Sequence, residues 1–313
     1  MIGAVIIGRN EGARFLACLA SLPDSLAPVI YVDSGSTDGS IEAAEAHGAI
    51  VVSLDTSKPF TAARARNAGL AQLGEEVRFV QLVDGDCTLA EGWVERARAA
   101  LEADPGLAVV CGRRRERYPD ASIYNQLCDW EWDTPIGEAR ACGGDAMMRR
   151  AALADVGGYR DDLIAGEEPE LCVRLRAAGW RIERLDAEMT LHDAAMARFG
   201  QWWQRSRRAG HAFAEGAALH GAPPERHWVR ETGRALFWGA GLPLVIILAA
   251  FVSVWLSLAL ALAYPLQVLR LARRWPLLRA AFSVLGKFPE AQGALEYYAS
   301  RLRGARRGLF EYK

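Results

Sequence analysis

Two aspartates one residue apart, Asp84 and Asp86, close an apolar run that reads VRFVQLV over residues 77–83. A continuous apolar run of this length is typical of a strand that is buried on both faces. In open α/β sheets, ligands bind outside the carboxyl ends of the strands, where these two carboxylates would lie. Paired carboxylates can hold a hard divalent cation, and that cation can hold a pyrophosphate. The alternative is a solvated turn.

Asp33 closes another apolar run in the same way, within VIYVDSGSTDGS over residues 29–40. The small residues that follow let a ligand approach the backbone, and an acid there can accept hydrogen bonds from a base or a ribose. A helix-capping loop is the alternative. The turn after the first strand reads GRNEG over residues 8–12. It lacks the G-x-G-x-x-G pattern, which disfavours a dinucleotide site.

Residues 62–69 read AARARNAG and place Arg64 and Arg66 in the first turns of a predicted helix. Helical arginines are usually solvated. The alanines here permit close packing, however, and a guanidinium could then reach phosphate oxygens with two parallel hydrogen bonds.

The elements that must position these residues alternate between strand and helix up to about residue 195. Strand–helix–strand repetition implies right-handed crossovers and a parallel sheet, so the predicted fold class is α/β. The predicted strands cover residues 4–7, 29–32, 50–54 and 77–83, and a predicted helix covers residues 61–73.

Composition excludes some classes of protein. The chain has 313 residues, a formal net charge of −1 and a pI near 6.5, which argues against a dedicated nucleic-acid binder. The six cysteines include no C-x-x-C pair and fit free thiols in a reducing cytosol. The N-terminal residues lack the basic region of a signal peptide.

Residues 235–269 contain no Asp, Glu, Lys, Arg or His, which predicts a membrane segment. A single helix would be about 50 Å long, against a hydrocarbon core of about 30 Å. The run therefore predicts a tilted helix or a tight hairpin, and arginines on both flanks favour a hairpin with both ends in the cytoplasm.

Residues 198–213 predict an amphipathic interfacial helix, with an ordinary packed helix as the alternative. We predict four segments: 1–197, the catalytic domain; 198–234, the interfacial helix and linker; 235–272, the transmembrane helix or hairpin; and 273–313, a basic C-terminal tail.

The order of motifs resembles the inverting family 2 glycosyltransferases of the GT-A fold, over about residues 3–195. The motifs are NE at 10–11, DSGSTD at 33–38, ARNAG at 65–69, DGD at 84–86, GGY at 157–159 and GEEPEL at 166–171, followed by Arg174 and Gly179. The resemblance implies that Asp33 contacts the nucleotide base, Arg66 the diphosphate and Asp84 the ribose side of the donor. It also implies that Asp86 ligates Mg²⁺ or Mn²⁺, and that His192 adds a metal or diphosphate contact. A structural role for the histidine is the alternative.

Inverting sugar transfer needs a carboxylate that removes the proton of the acceptor hydroxyl. The family usually supplies Asp after Glu at this position, whereas this chain has Glu167 and Glu168. Glu168 is the predicted base and Glu167 the alternate. Because Pro169 suits the first position of a helix over residues 170–178, we expect Glu168 just before that helix. The helix dipole there favours the ionised form, and a purely structural acid would occupy the same place.

The acceptor side is predicted from two segments. Gly144 and Asp145 precede a predicted strand at residues 146–148 and resemble the small-residue segment at the family's acceptor side. Trp130 and Trp132 could stack on an acceptor sugar or fill the core.

The resemblance implies a membrane-anchored enzyme of bacterial type that transfers one sugar from a nucleoside-diphosphate sugar to a lipid-linked or polysaccharide acceptor in cell-surface glycan synthesis. We expect it at the inner membrane with its catalytic domain in the cytoplasm, with a divalent metal as cofactor and membrane lipid, but no nucleic acid, as a partner. Residues 201–205, QWWQR, do not reproduce the Q-x-x-R-W segment of processive synthases, which favours single addition. The alternatives are a sugar-phosphate nucleotidyltransferase and an inactive nucleotide-sugar-binding membrane scaffold.

Overall fold

A computed structural model describes residues 1–304 of the chain. The chain divides into two compact units, Met1–Ala197 and a second unit that begins at Arg198. Each unit has its own secondary structure, an α/β sheet in the first and helices in the second.

The described residues of the first unit form one sheet of nine strands. Its strands are β1 (Ile2–Gly8), β2 (Leu26–Asp33), β3 (Ile50–Ser53), β4 (Phe79–Asp84), β5 (Cys87–Leu89), β6 (Leu107–Glu116), β7 (Gly137–Glu138), β8 (Ala146–Arg149) and β9 (Arg181–His192). Their order across the sheet is β3-β2-β1-β4-β8-β6-β9-β5, and β7 pairs with β9. The helices are α1 (Ala13–Ala20), α2 (Ser40–Ala46), α3 (Ala62–Leu70), α4 (Trp93–Ala103), α5 (Ile123–Trp132), α6 (Arg150–Asp155) and α7 (Glu167–Ala177).

The parallel half of the sheet explains why two acids meet at one edge. Strands β2 and β4 both run parallel to β1, with Gly8 opposite Asp33 and Ile7 opposite Asp84. The two carboxylates therefore flank the carboxyl end of β1. The apolar runs of β1 and β4 are buried as predicted, because helices cover both faces of such strands, whereas β3 at the end of the sheet leaves Ile50 half exposed. The predicted α/β class is confirmed, while β8 makes the sheet mixed by running antiparallel to β4 and β6.

Helix α3 lies close to the sheet because Gly69 has no side chain. A Cβ atom at Gly69 would lie 2.4 Å from a Val5 methyl carbon on β1. This close approach places Arg66, three residues earlier on the same helix, in a buried position. The predicted helix over residues 61–73 is therefore confirmed in type, and Thr61 caps it by accepting a hydrogen bond from the N–H of Arg64 at 3.1 Å.

Helix α7 begins earlier than the proline predicts. It starts at Glu167, directly after Gly166, whose φ of 78° is readily adopted by glycine. The expectation that Glu168 precedes the helix is wrong, because Glu168 lies in its first turn and Pro169 is the third helical residue. Proline is tolerated there because the N–H groups of the first turn have no partner within the helix.

The second unit contains seven α-helices within the described residues. They are α8 (Phe199–His220), α9 (Val229–Leu236), α10 (Leu242–Ala250), α11 (Val254–Ala261), α12 (Ala263–Ala272), α13 (Leu277–Leu285) and α14 (Lys287–Leu302). A π-helical segment, Phe237–Gly241, joins α9 to α10. The segment predicted as a basic tail, residues 273–313, contains α13 and α14, and its residues 305–313 lie outside the described part of the chain.

Helices α8 and α14 pack backbone against backbone through two glycines. A Cβ atom at Gly210 would lie 1.9 Å from the carbonyl oxygen of Glu290, and one at Gly293 would lie 1.9 Å from that of Arg207. The close approach of the two helices therefore requires a residue without a side chain at both positions. Trp202 of α8 is buried with its ring edge-on to Phe282, at 5.0 Å between centroids, as the packed-helix alternative predicts.

Two helical stretches of the second unit are long and apolar enough to cross a membrane, Val229–Ala250 and Val254–Ala272. Only 17% and 0% of their most apolar windows are buried, so they are not core helices of the unit. Ser257 Oγ donates to the carbonyl oxygen of Ile246 at 2.9 Å, and Tyr264 Oη to that of Trp238 at 2.7 Å. Because the partner's number falls as the donor's rises, the two stretches are antiparallel. The two stretches therefore form a helical hairpin and not one continuous helix, and their insertion in a membrane stays a prediction.

Candidate active site

Asp33 organises the loop that follows β2. Its carboxylate is buried and accepts hydrogen bonds from the N–H groups of Gly35 and Ser36, at 2.8 and 3.0 Å. Tyr31 Oη also donates to it, at 3.1 Å. These contacts hold the small-residue loop in a fixed shape at the sheet edge. Contact between Asp33 and a nucleotide base stays a prediction.

Arg66 joins two carboxylates from distant parts of the chain. Its guanidinium donates to Asp84 Oδ1 and to Glu167 Oε1, both at 2.8 Å, and lies over the Tyr159 ring, 5.6 Å from its centroid. The Arg66 side chain is only 3% exposed, so these pairs are shielded from water. Burial raises the pKa of the Asp84 carboxyl, but the guanidiniums of Arg66 and Arg114 outweigh it and hold the pKa below its usual value.

Arg114 is a second cation of the site, which sequence reasoning missed. It lies on β6 and donates to Asp84 Oδ2 at 3.5 Å and to the Cys87 thiol at 3.3 Å. Its Nε lies 3.7 Å from Asp145 Oδ2, yet this nitrogen has no hydrogen-bond partner among residues 1–304. A signal was present in the sequence, because four consecutive charged residues, 113–116, end a buried strand, and the alternation of side chains along a strand puts Arg114 and Glu116 on the same side.

Gly144 and Asp145 lie against Asp84 and its neighbours. A Cβ atom at Gly144 would lie 2.7 Å from Asp84 Oδ2 and 3.0 Å from a nitrogen of Arg66. Asp145 is 0% exposed, accepting from the N–H of Asp84 and from Thr190 Oγ1, each at 2.9 Å. Asp145 thus holds the end of β4, and its contact with an acceptor stays a prediction.

The strand ladder brings Asp86, Glu116 and His192 together. Cys87 of β5 and Glu116 of β6 both pair with His192 of β9. As a result, His192 Nε2 lies 3.2 Å from Asp86 Oδ2, and His192 Nδ1 lies 3.7 Å from Glu116 Oε2. Within the described chain His192 Nδ1 has no hydrogen-bond partner. The structure thus places the two residues predicted as metal ligands within contact of each other and adds Glu116, which the sequence did not reveal.

One of the two predicted tryptophans reaches this group. The Trp132 ring is edge-on to His192, at 4.8 Å between centroids, and the Arg114 guanidinium lies 5.0 Å from the centre of the same ring. Trp132 is neither fully buried nor fully exposed, so it borders the site and does not fill the core. Trp130 is half-buried on the same helix.

Glu168 and Glu167 point to different partners. Glu168 Oε1 accepts from the N–H of Cys142 at 2.6 Å and from the thiols of Cys142 and Cys172, each at 2.9 Å. Glu168 is 5% exposed. Glu167, the alternate base, is engaged by Arg66. Adjacent residues of one helical turn therefore place one carboxylate in a cationic environment and the other among neutral donors.

A mixed α/β sheet with acids and buried arginines at the carboxyl edge of its parallel strands is the architecture of a nucleotide-sugar transferase of the GT-A type. The structure of the mannosyltransferase PcManGT from Pyrobaculum calidifontis in complex with GDP-Man and Mn²⁺ has this fold, with a TM-score of 0.65 and 19% identity, over 94% of this chain and 86% of that one. Glucosyl-3-phosphoglycerate synthase from Mycobacterium tuberculosis, in complex with Mg²⁺ and UDP, gives a TM-score of 0.51 at 19% identity, over 71% and 80% of the chains.

Sequence comparison identifies the family. The family model for Glycosyl transferase family 2 matches residues 4–157. An uncharacterized glycosyltransferase of Mycobacterium tuberculosis (strain ATCC 25618 / H37Rv) is 30% identical over 191 residues, which are 56% of this chain and 79% of the relative. The succinoglycan biosynthesis protein ExoA of Rhizobium meliloti (strain 1021) is 28% identical over 196 residues, which are 56% of this chain and 58% of ExoA. The chain belongs to glycosyl transferase family 2 and is a glycosyltransferase, as its motifs predicted.

Proposed function

We propose that this protein transfers a single sugar, with inversion, from a nucleoside-diphosphate sugar to a membrane-proximal acceptor, lipid-linked or polysaccharide, in cell-surface glycan synthesis. The observation that carries the proposal is the cluster in which Arg66 joins Asp84 to Glu167, next to the pair of Asp86 and His192. The named role of ExoA in succinoglycan biosynthesis supports the class of product.

Donor binding is assigned to the carboxyl edge of β2, β4 and β6. We assign the diphosphate to Arg66 and Arg114, because guanidinium groups match phosphate oxygens in geometry and charge. Arg114 Nε carries a buried N–H without a hydrogen-bond partner among the described residues, so an incoming oxygen would satisfy it. Asp84 faces the ribose side and the loop after Asp33 faces the base. The GDP-Man and UDP complexes of the two fold relatives support a nucleotide at such a site.

Asp86 and His192 fit a divalent metal. A carboxylate oxygen and an imidazole nitrogen 3.2 Å apart can turn to one ion, and these ligand types suit Mn²⁺ or, through the carboxylate and the donor's phosphates, Mg²⁺. Glu116, 3.7 Å from the other imidazole nitrogen, would orient the ring, as outer carboxylates do for metal-binding histidines. A metal ion bound there would supply positive charge to the departing nucleoside diphosphate.

We assign the catalytic base to Glu168, with Glu167 as the alternate. Glu167 Oε1 is engaged by a guanidinium, which neutralises the carboxylate. Among residues 1–304 the partners of Glu168 are one N–H and two thiols, all on Oε1, and we assign its second oxygen to receive the proton of the acceptor hydroxyl. Trp132, and Trp130 on the same helix, are assigned to the acceptor sugar, because aromatic rings stack on apolar sugar faces.

The hairpin is assigned to the bacterial inner membrane. At 1.5 Å per residue its stretches of 22 and 19 residues measure about 33 and 28 Å, and their charge-free parts, residues 235–250 and 254–269, measure about 24 Å each, which leaves the flanking charges near the surface of a hydrocarbon core of about 30 Å. The two ends of an antiparallel hairpin emerge on the same side, where Arg230 and Arg234 precede the apolar run and Arg270 and Arg273 follow it. Positive residues favour the cytoplasmic side, so the catalytic unit is assigned to the cytoplasm.

The test is a screen of nucleotide sugars for metal-dependent transfer by the membrane-embedded protein, with matched variants. We expect Glu168→Gln to lower kcat by about 10²–10⁴-fold. Glu167→Gln should mainly weaken donor binding, and Glu102→Gln, which changes an exposed carboxylate on α4, should leave transfer unchanged. Asp86→Ala should abolish the metal requirement together with transfer. Persistence of transfer in both Asp86→Ala and Glu168→Gln would refute the mechanism, and a wild type that turns over no donor would support the scaffold alternative.

A further inference from the structure

One group of side chains joins Glu168 to two thiols. The sulfurs of Cys142 and Cys172 are 3.8 Å apart, and each lies 2.9 Å from Glu168 Oε1. All three residues are at most 5% exposed. All six cysteines of the sequence lie within residues 1–304 and are buried free thiols, so no disulfide engages this pair.

The spacing of the group matches the coordination of a thiophilic metal. Two Zn–S bonds of about 2.3 Å at a tetrahedral angle place the sulfurs about 3.8 Å apart. Glu168 and Cys172 are four residues apart on α7, which puts both on one face of the helix. Cys142 comes from the loop before β8, and its N–H donates to Glu168 Oε1 at 2.6 Å, so this loop and α7 are joined at the three ligands. Only the carboxylate oxygen must move outward to reach a bonding distance.

The ligand chemistry differs from that at Asp86. Thiolates select soft or borderline ions such as Zn²⁺, whereas carboxylates and phosphates suit Mg²⁺ and Mn²⁺. Burial is the main cause that raises the pKa of both thiols, so without metal they are protonated and donate to Glu168. Binding of a metal would release both thiol protons to solvent and form two metal–sulfur bonds and one metal–oxygen bond, with no change of oxidation state.

We propose that Cys142, Cys172 and Glu168 form a second metal site, for Zn²⁺ or an ion of similar softness, whose occupation removes Glu168 from catalysis. The inhibitory part rests on the proposed function, because it requires Glu168 to be the base. Mg²⁺ or Mn²⁺ would thus support the enzyme at one site while Zn²⁺ stops it at another.

The binding test uses the full chain and Cd²⁺ as a spectroscopic substitute for Zn²⁺. The thiol of Cys87 lies close to ligand atoms of Asp86 and His192 and to those of Asp84 and Asp145, so it could also bind Cd²⁺. All variants are therefore made in a Cys87→Ser background. Cd²⁺ should give sulfur-to-metal charge-transfer absorption at one equivalent per chain. Adding Cys172→Ser should weaken binding by about 100-fold or more, since losing a ligand exceeds the 10–100-fold cost of losing an outer-shell partner. Adding Cys128→Ser, a buried thiol outside the group, should leave it unchanged.

Serine keeps the size and hydrogen bonding of each thiol, and thermal unfolding without metal checks that the variants fold. An unchanged Cd²⁺ affinity in both Cys87→Ser/Cys172→Ser and Cys87→Ser/Cys142→Ser would overturn the site. This assay needs neither donor nor acceptor, so its result is independent of whether the proposed transfer is correct.

The activity test measures sugar transfer in excess Mg²⁺ with added Zn²⁺ and then a zinc-selective chelator. In the Cys87→Ser background we expect reversible inhibition, which Cys142→Ser/Cys172→Ser should abolish. Cd²⁺ binding at the thiols without such inhibition would overturn the assignment of Glu168 as the group that the metal blocks.

Discussion

Replacing Arg66 by methionine should strongly lower the stability of the first unit, Met1–Ala197, apart from any loss of donor binding. The guanidinium is 3% exposed and holds two carboxylates, Asp84 and Glu167, that are themselves 26% and 13% exposed. Methionine fills much of the volume but leaves both acids without their main cation. The control is Arg64→Met, which makes the same substitution on the same helix. Arg64 is more exposed, and among the described residues its guanidinium donates to main-chain carbonyls, those of Asp55, Lys58 and Pro59.

The magnitude follows from the burial of the pairs. Removing one partner of a buried ion pair costs about 3–5 kcal/mol. The lower limit applies here, because Asp84 is a quarter exposed and Arg114 still faces it at 3.5 Å. A loss of about 3 kcal/mol lowers the melting temperature of a unit of this size by about 6–12 °C. Arg64→Met loses exposed hydrogen bonds and should cost about 1 kcal/mol.

The pH dependence of this loss has a defined sign. The pKa of Asp84 is lower in the folded state, so its contribution to stability is present above the unfolded pKa, about 3.9, and disappears as pH falls through the folded value. Arg66→Met removes the main cation that lowers this pKa. The difference in unfolding free energy between wild type and Arg66→Met should therefore be largest near neutral pH and shrink below about pH 4.

The assay is thermal and denaturant unfolding of the full chain in detergent, followed by a signal from the catalytic unit and repeated between neutral and acidic pH. Arg66→Lys, which keeps the charge but not the two-pronged donor, should fall between wild type and Arg66→Met. If Arg66→Met unfolds within about 1 kcal/mol of Arg64→Met at neutral pH, the buried pairs do not stabilise the fold as we argue.

Three further predictions concern packing. Gly69→Ala places a methyl group 2.4 Å from a methyl carbon on β1 and should cost about 1–3 kcal/mol in thermal unfolding; an unchanged melting temperature would show that α3 can move away freely. The buried indole N–H of Trp93 donates to Gln81 Oε1 at 2.9 Å, so Gln81→Leu removes its acceptor and should lower the free energy of unfolding in denaturant by about 1–3 kcal/mol. Equal stability would mean that another acceptor replaces Gln81. Gly293→Ala places a Cβ atom 1.9 Å from the carbonyl oxygen of Arg207 and should increase amide hydrogen exchange in α8 and α14. Unaltered exchange would contradict the close packing of these helices.

The parallel half of the fold could be predicted from sequence because it depends on local patterns. Buried apolar runs ending in Asp33 and Asp84 defined strands, and the shared polarity of those strands placed both acids at one edge. A strand at residues 146–148 was predicted, but its place between β4 and β6 and its antiparallel direction were not, because the sequence of a four-residue strand does not indicate its direction. The start of α7 was misplaced because Pro169 suits any position of the first turn.

The site was predicted only where its residues follow strand ends. Arg114 and Glu116 were missed because their roles depend on the pairing of β6 with β9, over 60 residues apart in sequence. The contacts of Asp145 with Asp84 and Thr190 could not be predicted for a similar reason, since they arise from strand neighbours that no local motif specifies. Helices α13 and α14 were not predicted. The arginines at 273, 274 and 279 indicated a basic segment, and the two glycines that pack α14 lie on separate helices, so no local pattern indicated this packing.

The glutamate at position 168 has a physical explanation in its neighbours. Relative to the aspartate usual in the family, its side chain is longer by one methylene, which alone would displace the carboxylate. Here three donors fix one oxygen, two of them thiols from Cys142 and Cys172. The same contacts that restrain the longer side chain assemble the ligands of a thiophilic metal. If Glu168 is the base, as we propose, the thiols that restrain it also make it sensitive to thiophilic ions, and Cys142→Ala/Cys172→Ala, which removes both donors, should remove the sensitivity and loosen the restraint together.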